Sequence, residues 1–133
     1  MLTPVIALVS WTLVVWIWMY LLRIPAMQAA GLEPDEARHP GSLNVLPSGA
    51  RQVADNYNHL HEQPTIFYAL AFYCYLAGTG DAINVNLAWA YVGLRVTHSL
   101  VQNTINRVLI RFSLFALSSL ALMAIAVRCL LAL

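Results

Sequence analysis

Arg95, His98, Gln102 and Asn106 stand at i, i+3, i+7 and i+11 in the stretch RVTHSLVQNTINRVLIR, residues 95–111. On a helix they share one face. A second set, Arg51, Asp55, Asn58 and Glu62, falls at i, i+4, i+7 and i+11 and forms another such stripe. Both stripes are flanked by long apolar runs. A charged side chain near the centre of a bilayer costs roughly 2.5–3.5 kcal/mol even on the lenient insertion scales, so ionisable stripes among membrane segments mark a functional surface by default. Guanidinium groups suit bidentate carboxylate binding and the stabilisation of a developing anion. Glu62 supplies the complementary charge for an amine, and in the empty protein it is expected to pair with Arg95 or another arginine of the stripe. A small zwitterionic peptide with two carboxylates, one ammonium and a thiol satisfies that inventory, because a neighbouring arginine lowers a thiol pKa from about 8.5 and favours the nucleophilic thiolate. The other reading of the same residues is that the charges pair only with each other and hold helices and subunits in register.

Other chemistries are poorly supplied. HEQPT, residues 61–65, is not a zincin motif, since Thr65 stands where the second histidine is needed and Pro64 interrupts the turn. His59 and His61 project about 200° apart on a helix, so no metal site is expected. Ser99, Ser113, Ser118 and Ser119 have no evident base or orienting acid. Cys74 and Cys129 each fall inside an apolar run, far from any CxxC spacing, and read as small packing residues rather than a disulfide or a reactive thiol. The formal net charge is +1 and the chain has no lysine, which argues against nucleic acid as a partner. All seven basic residues are arginine. That choice fits an anionic ligand, and equally a genome rich in arginine codons.

The elements that must position these residues are set by composition. Of 133 residues 60% are hydrophobic and 10% charged, against about 25% charged in a soluble domain, so the chain reads as an integral membrane protein. At about 20 residues per crossing, one domain of four spans fits. The first covers residues 4–24; it lacks the basic lead and short apolar core of a cleaved signal peptide and is expected to stay as an anchor. Residues 29–50 carry Gly31, Pro34, Pro40, Gly41, Pro47 and Gly49 and form a loop, either a lid or a solvated connector. Residues 51–77 are expected to form one helix, polar in its first half, with Pro64 causing a kink. Spans over 83–104 and 107–132 complete an all-α, up-down-up-down bundle. In that topology the end of span one, the start of span two, the end of span three and the start of span four meet at one membrane face. The polar halves then coincide and must line a cavity within the bundle or between subunits. Six of the seven arginines lie at that face, with only Arg128 at the other, so the cavity is expected to open to the cytoplasm with both termini outside.

The four-span layout, NHLHEQPTIFYAL with its acidic residue just before a proline, and RVTHSLVQNTINRVLIRF together resemble the MAPEG family, the membrane-associated proteins of eicosanoid and glutathione metabolism. The short bacterial members are the nearer match. The resemblance implies a homotrimer with glutathione as co-substrate, bound between subunits near the cytoplasmic face of a bacterial inner membrane, and a lipophilic electrophile arriving from the lipid. Carried over by position, Glu62 holds the glutathione amine and Arg95 and His98 engage the peptide or support its pocket. Arg111 stabilises the thiolate as the catalytic residue, and Arg23 corresponds to a carboxylate-binding arginine. Arg51, Asn58 and Gln102 complete the glutathione-binding set. The chain departs from the eicosanoid-synthesising members at Asp55 and His59, where those members hold an arginine and an asparagine, at Gln102 in place of a tyrosine, and at Phe112, where a serine sometimes helps the thiolate. Those departures suit a second reading, a noncatalytic lipid-binding or scaffolding trimer.

Overall fold

α1, Leu2–Ala29, buries Pro4, Leu8, Thr12, Val15 and Met19, one residue per turn, yet its outer faces are no more polar than its inner one. Ile6, Leu13, Ile17 and Leu21 are all exposed. A helix that is apolar all round has no aqueous face, and this one is long and apolar enough to cross a membrane. α5, Val108–Leu131, repeats the pattern: Ser118, Leu122, Ile125 and Cys129 turn inward, and Leu117, Leu120, Met123 and Val127 turn outward. It too is long and apolar enough to span.

The computed structural model describes residues 1–39 and 41–133, so Pro40, one of the loop markers, lies outside the described residues. Between α1 and α5 run α2, Ser48–His59, α3, Gln63–Leu76, and α4, Ala82–Asn103. Short 3-10 turns at Pro34–Arg38 and Ser42–Val45 shape the connection that follows α1. Among the described residues all regular structure is helical, and α2 and α3 together form one leg, so the architecture is an all-α bundle of four legs. α4 and α5 form its most extensively packed pair, while α1 leans on α2 and α4. The core runs from Leu8, Val15 and Phe67 to Tyr91, Val92 and Ile125, with the Phe67 and Tyr91 rings stacked at 4.5 Å between centroids.

The second leg is not the single kinked helix expected from residues 51–77. α2 stops at His59, Glu62 has φ −88° and ψ −98°, and α3 starts afresh at Gln63. In a continuous helix the Pro64 ring would collide with the Leu60 carbonyl and remove a bond to it; at the second position of a new helix the missing N–H costs nothing. The chain turns through 60–62 on i−3 bonds from His61 N–H to Asn58 O and Glu62 N–H to His59 O.

A comparable interruption ends α4. The helix closes at Asn103 and Asn106 adopts φ 47°, a left-handed conformation that asparagine tolerates better than most residues. Asn106 therefore does not continue the Arg95, His98, Gln102 face, as uninterrupted helical spacing would have it. It sits in the tight connection to α5, its N–H donating to Val101 O at 2.8 Å.

Candidate functional site

The break at 60–62 leaves carbonyls at the end of α2 without helical partners, and a buried helix end needs donors from elsewhere. Arg95 supplies them from the middle of α4. It is fully buried, and its Nη2 donates to His59 O at 3.2 Å and to His59 Nδ1 at 2.9 Å. A cation at a helix C-terminus also complements the helix dipole. Because a guanidinium can only donate, His59 Nδ1 must be the acceptor, and the proton of the neutral ring belongs to Nε2. That nitrogen faces Glu62 Oε2 at 3.9 Å. The expected pairing of Glu62 with Arg95 or another arginine of the stripe is thus corrected. Glu62 meets His59, which stands between them, because the helix break swings the carboxylate outward until its side chain is 68% exposed.

His59 stacks on His98 at 5.0 Å between centroids with 13° between planes. Phe115 of α5 lies against both rings, at 5.5 Å and 6.4 Å, and the Arg95 guanidinium carbon sits 5.6 Å from its centroid. This is within cation–π range. His59, His98, Val108, Arg111, Phe112 and Phe115 line a cavity of about 210 Å³. Arg111 is fixed there by the α4–α5 connection: its Nη1 donates to Asn106 Oδ1 at 2.7 Å, Asn106 Nδ2 donates to Gln52 Oε1 at 3.2 Å, and Gln52 Nε2 donates to Asn103 O at 3.1 Å.

Arg23, Arg51 and Asn58 are gathered elsewhere. With Asp55, His39 and Asn44 they line a second cavity of about 280 Å³ between the end of α1 and α2. The connection after α1 closes over it, and Arg51 Nη1 donates to Asn44 O at 3.2 Å. The eight candidate residues therefore divide: Arg23, Arg51 and Asn58 at one cavity, His98 and Arg111 at the other, Arg95 behind His59, and Glu62 at the helix break. Gln102 is buried and lines neither, its Oε1 without a hydrogen-bond partner among the described residues. Phe115, Gln52 and the bridging role of His59 were not picked out by spacing. Phe115 sits in a uniformly apolar run, where nothing local separates it from a packing residue.

The electrostatics are one-sided. Among the described residues the arginine–carboxylate pairs within 4.0 Å are Arg38 with Asp35 and Arg128 with Asp81. Arg23, Arg51, Arg95 and Arg111 have no such partner, and Arg95 Nε, Arg95 Nη1 and Arg111 Nε are buried donors with no acceptor among the described residues. Buried donors normally find acceptors, so this end of the bundle is chemically suited to hold an anion. No group of three or more histidine, cysteine, aspartate or glutamate side chains is gathered for a metal ion among the described residues. Beside Gln63, an apolar groove of about 580 Å³ runs between α3 and α5, lined by Ile66, Leu70, Tyr73, Leu122 and Met123. It reaches from the polar end of the bundle along its apolar flank.

No curated protein and no solved structure matches the chain. The profile of the MAPEG family matches residues 1–131, nearly the full length of this four-legged helical chain with its polar, arginine-rich end, and the chain belongs to that family.

Proposed function

We propose that this protein is a membrane-embedded glutathione-dependent transferase or peroxidase acting on lipophilic electrophiles. Membership in the MAPEG family supports a glutathione-related membrane function in general. The observation that carries the finer reading is the set of arginines without carboxylate partners around the two cavities, Arg23 and Arg51 at one and Arg111 at the other. Had these cations served only to pair with acidic side chains, each would have a carboxylate within 4.0 Å; Asp55 lines the first cavity but forms no such pair with Arg23 or Arg51 among the described residues.

In this reading the peptide carboxylates are held by Arg23 and Arg51, with Asn58 adding a neutral donor, and Glu62 receives the ammonium. Arg95 keeps His59 in place and His59 with His98 forms a flat wall, so both act on the ligand chiefly through position. The guanidinium of Arg111 stabilises the thiolate, which is the nucleophile. In conjugation the sulfur forms a bond to the electrophilic carbon as its leaving group departs; with a hydroperoxide it attacks the terminal oxygen, the O–O bond breaks, the alkoxide takes a proton from water to leave as the alcohol, and a second glutathione thiol condenses with the resulting sulfenic acid to give glutathione disulfide and water. Gln102, buried away from both cavities, supports the pocket rather than touching the ligand. The α3–α5 groove offers the lipophilic partner a path from the bilayer, and neighbouring subunits of a trimer cover the exposed polar surface, with the site at the cytoplasmic side of a bacterial inner membrane.

The test is saturable glutathione binding together with conjugation or hydroperoxide reduction by purified protein. Failure of both across several electrophiles would sink the proposal. One observation favours the noncatalytic alternative: Arg111 is bonded to Asn106 in a network that ties α5 to α2, which is a structural task in itself. Arg111→Ala separates the two, since activity lost from an intact assembly speaks for chemistry and a lost assembly speaks for structure.

A further inference from the structure

Cys74 and Cys129 stand 55 residues apart, on α3 and α5, yet their Sγ atoms are 3.1 Å from each other. Both residues are buried. Two uncharged thiols need no such approach in order to pack, and 3.1 Å is already inside the usual separation of non-bonded sulfurs. A disulfide, at about 2.05 Å, requires the sulfurs to close by only about 1 Å, a change within reach of small side-chain rotations. Thr79 Oγ1 lies 3.7 Å from Cys129 Sγ, and Cys74 borders a cavity of about 150 Å³ with Met1, Tyr75, Gly78 and Gly80 at the bundle end remote from the cavity-lining arginines Arg23, Arg51 and Arg111. α3 and α5 otherwise diverge around the 580 Å³ groove, and at its polar end Gln63 Nε2 donates to Ser119 Oγ at 2.8 Å.

We infer that Cys74 and Cys129 form an intramolecular disulfide that clips α3 to α5 at the far end of that groove. The bond forms when a disulfide-bearing thiol oxidant accepts the electrons. The two cysteine thiols lose two electrons and two protons and become one disulfide, while the oxidant's disulfide is reduced to two thiols. The arginine split that points the site to the cytoplasm puts the cysteines on the opposite side of the membrane, where disulfides persist; only this choice of compartment rests on the proposed topology.

The experiment is thiol trapping on the whole protein in its native membrane. Cells are quenched in acid, the protein is denatured and treated with N-ethylmaleimide, and its intact mass and peptides are measured. The expected result is no label without reductant, two labels after dithiothreitol, and a cross-linked peptide pair containing Cys74 and Cys129. Reduction should also lower the midpoint of thermal unfolding in detergent by about 5 °C or more, an effect absent from Cys74→Ala and Cys129→Ala. Two labels without reductant, a glutathione adduct on either cysteine, or a cross-link between chains would overturn the inference. None of these readouts involves glutathione turnover, so failure here and failure of the proposed activity are separate results.

Discussion

Arg95 on α4 donates one guanidinium nitrogen to both the ring and the backbone carbonyl of His59, at 2.9 Å and 3.2 Å. A single side chain thereby caps the end of α2 and orients the histidine that faces Glu62. Charge-assisted hydrogen bonds of this kind contribute about 1.5–3 kcal/mol. Arg95→Met should lower stability by about that amount, whereas Arg23→Met, at a half-buried position with no bonded partner, should change it by less than about 0.5 kcal/mol. Thermal or denaturant unfolding in detergent measures both, and equal effects would mean that the cap carries no weight.

Asn106 combines a left-handed backbone with bonds to Gln52 and Arg111. Asn106→Ala should lose the side-chain bonds and add a backbone cost of about 1–2 kcal/mol. Asn106→Gly should lose the bonds alone. The glycine variant is therefore expected to unfold at the higher temperature of the two, with Arg111 loosened in both.

Glu62 and Arg111 should fail in different ways. If Glu62 binds the glutathione ammonium beneath a neighbouring subunit, Glu62→Gln weakens binding by roughly 1.5–3 kcal/mol; left as exposed as it is in one subunit, it would contribute only about 0.2–1 kcal/mol. Arg111→Leu should leave binding largely intact while the bound thiol pKa rises toward its free value of about 8.5 and turnover falls. Thiolate absorbance near the ultraviolet edge, titrated against pH, reads the shift. An unchanged thiol pKa in Arg111→Leu would remove that residue from the chemistry.

Assembly follows from polar surface that one subunit leaves open. Asp55, Asn58 and Glu62 are exposed at the cavity-bearing end, where lipid would be a poor neighbour. A trimer in mild detergent is the expected result. A clean monomer by light scattering that still binds glutathione would refute it.

Topology can be read with reporters. Fusion after Leu133 should be active outside the cytoplasm and insertion at Gly41 active inside, as the arginine distribution requires. The reverse pattern would turn the site to the other side.

Much of this was legible before any folding. Uniform apolarity around α1 and α5 is a property of residue type, so membrane character and long helices follow from composition and length alone. Pro64 and the polar halves of the second and third legs likewise announced where the chain would turn polar. What the tertiary structure decided was pairing. Whether Glu62 meets Arg95 or His59 depends on how the chain turns after Leu60, and whether Asn106 joins the Arg95 face depends on where α4 stops. Helical spacing assumes continuity and so misplaced both. Arg23 and Arg51 share a cavity apart from His98 and Arg111, and Cys74 meets Cys129 across 55 residues. Such contacts depend on the rotation and axial offset of one helix against another, and these are set by how whole side-chain surfaces interlock rather than by any local pattern.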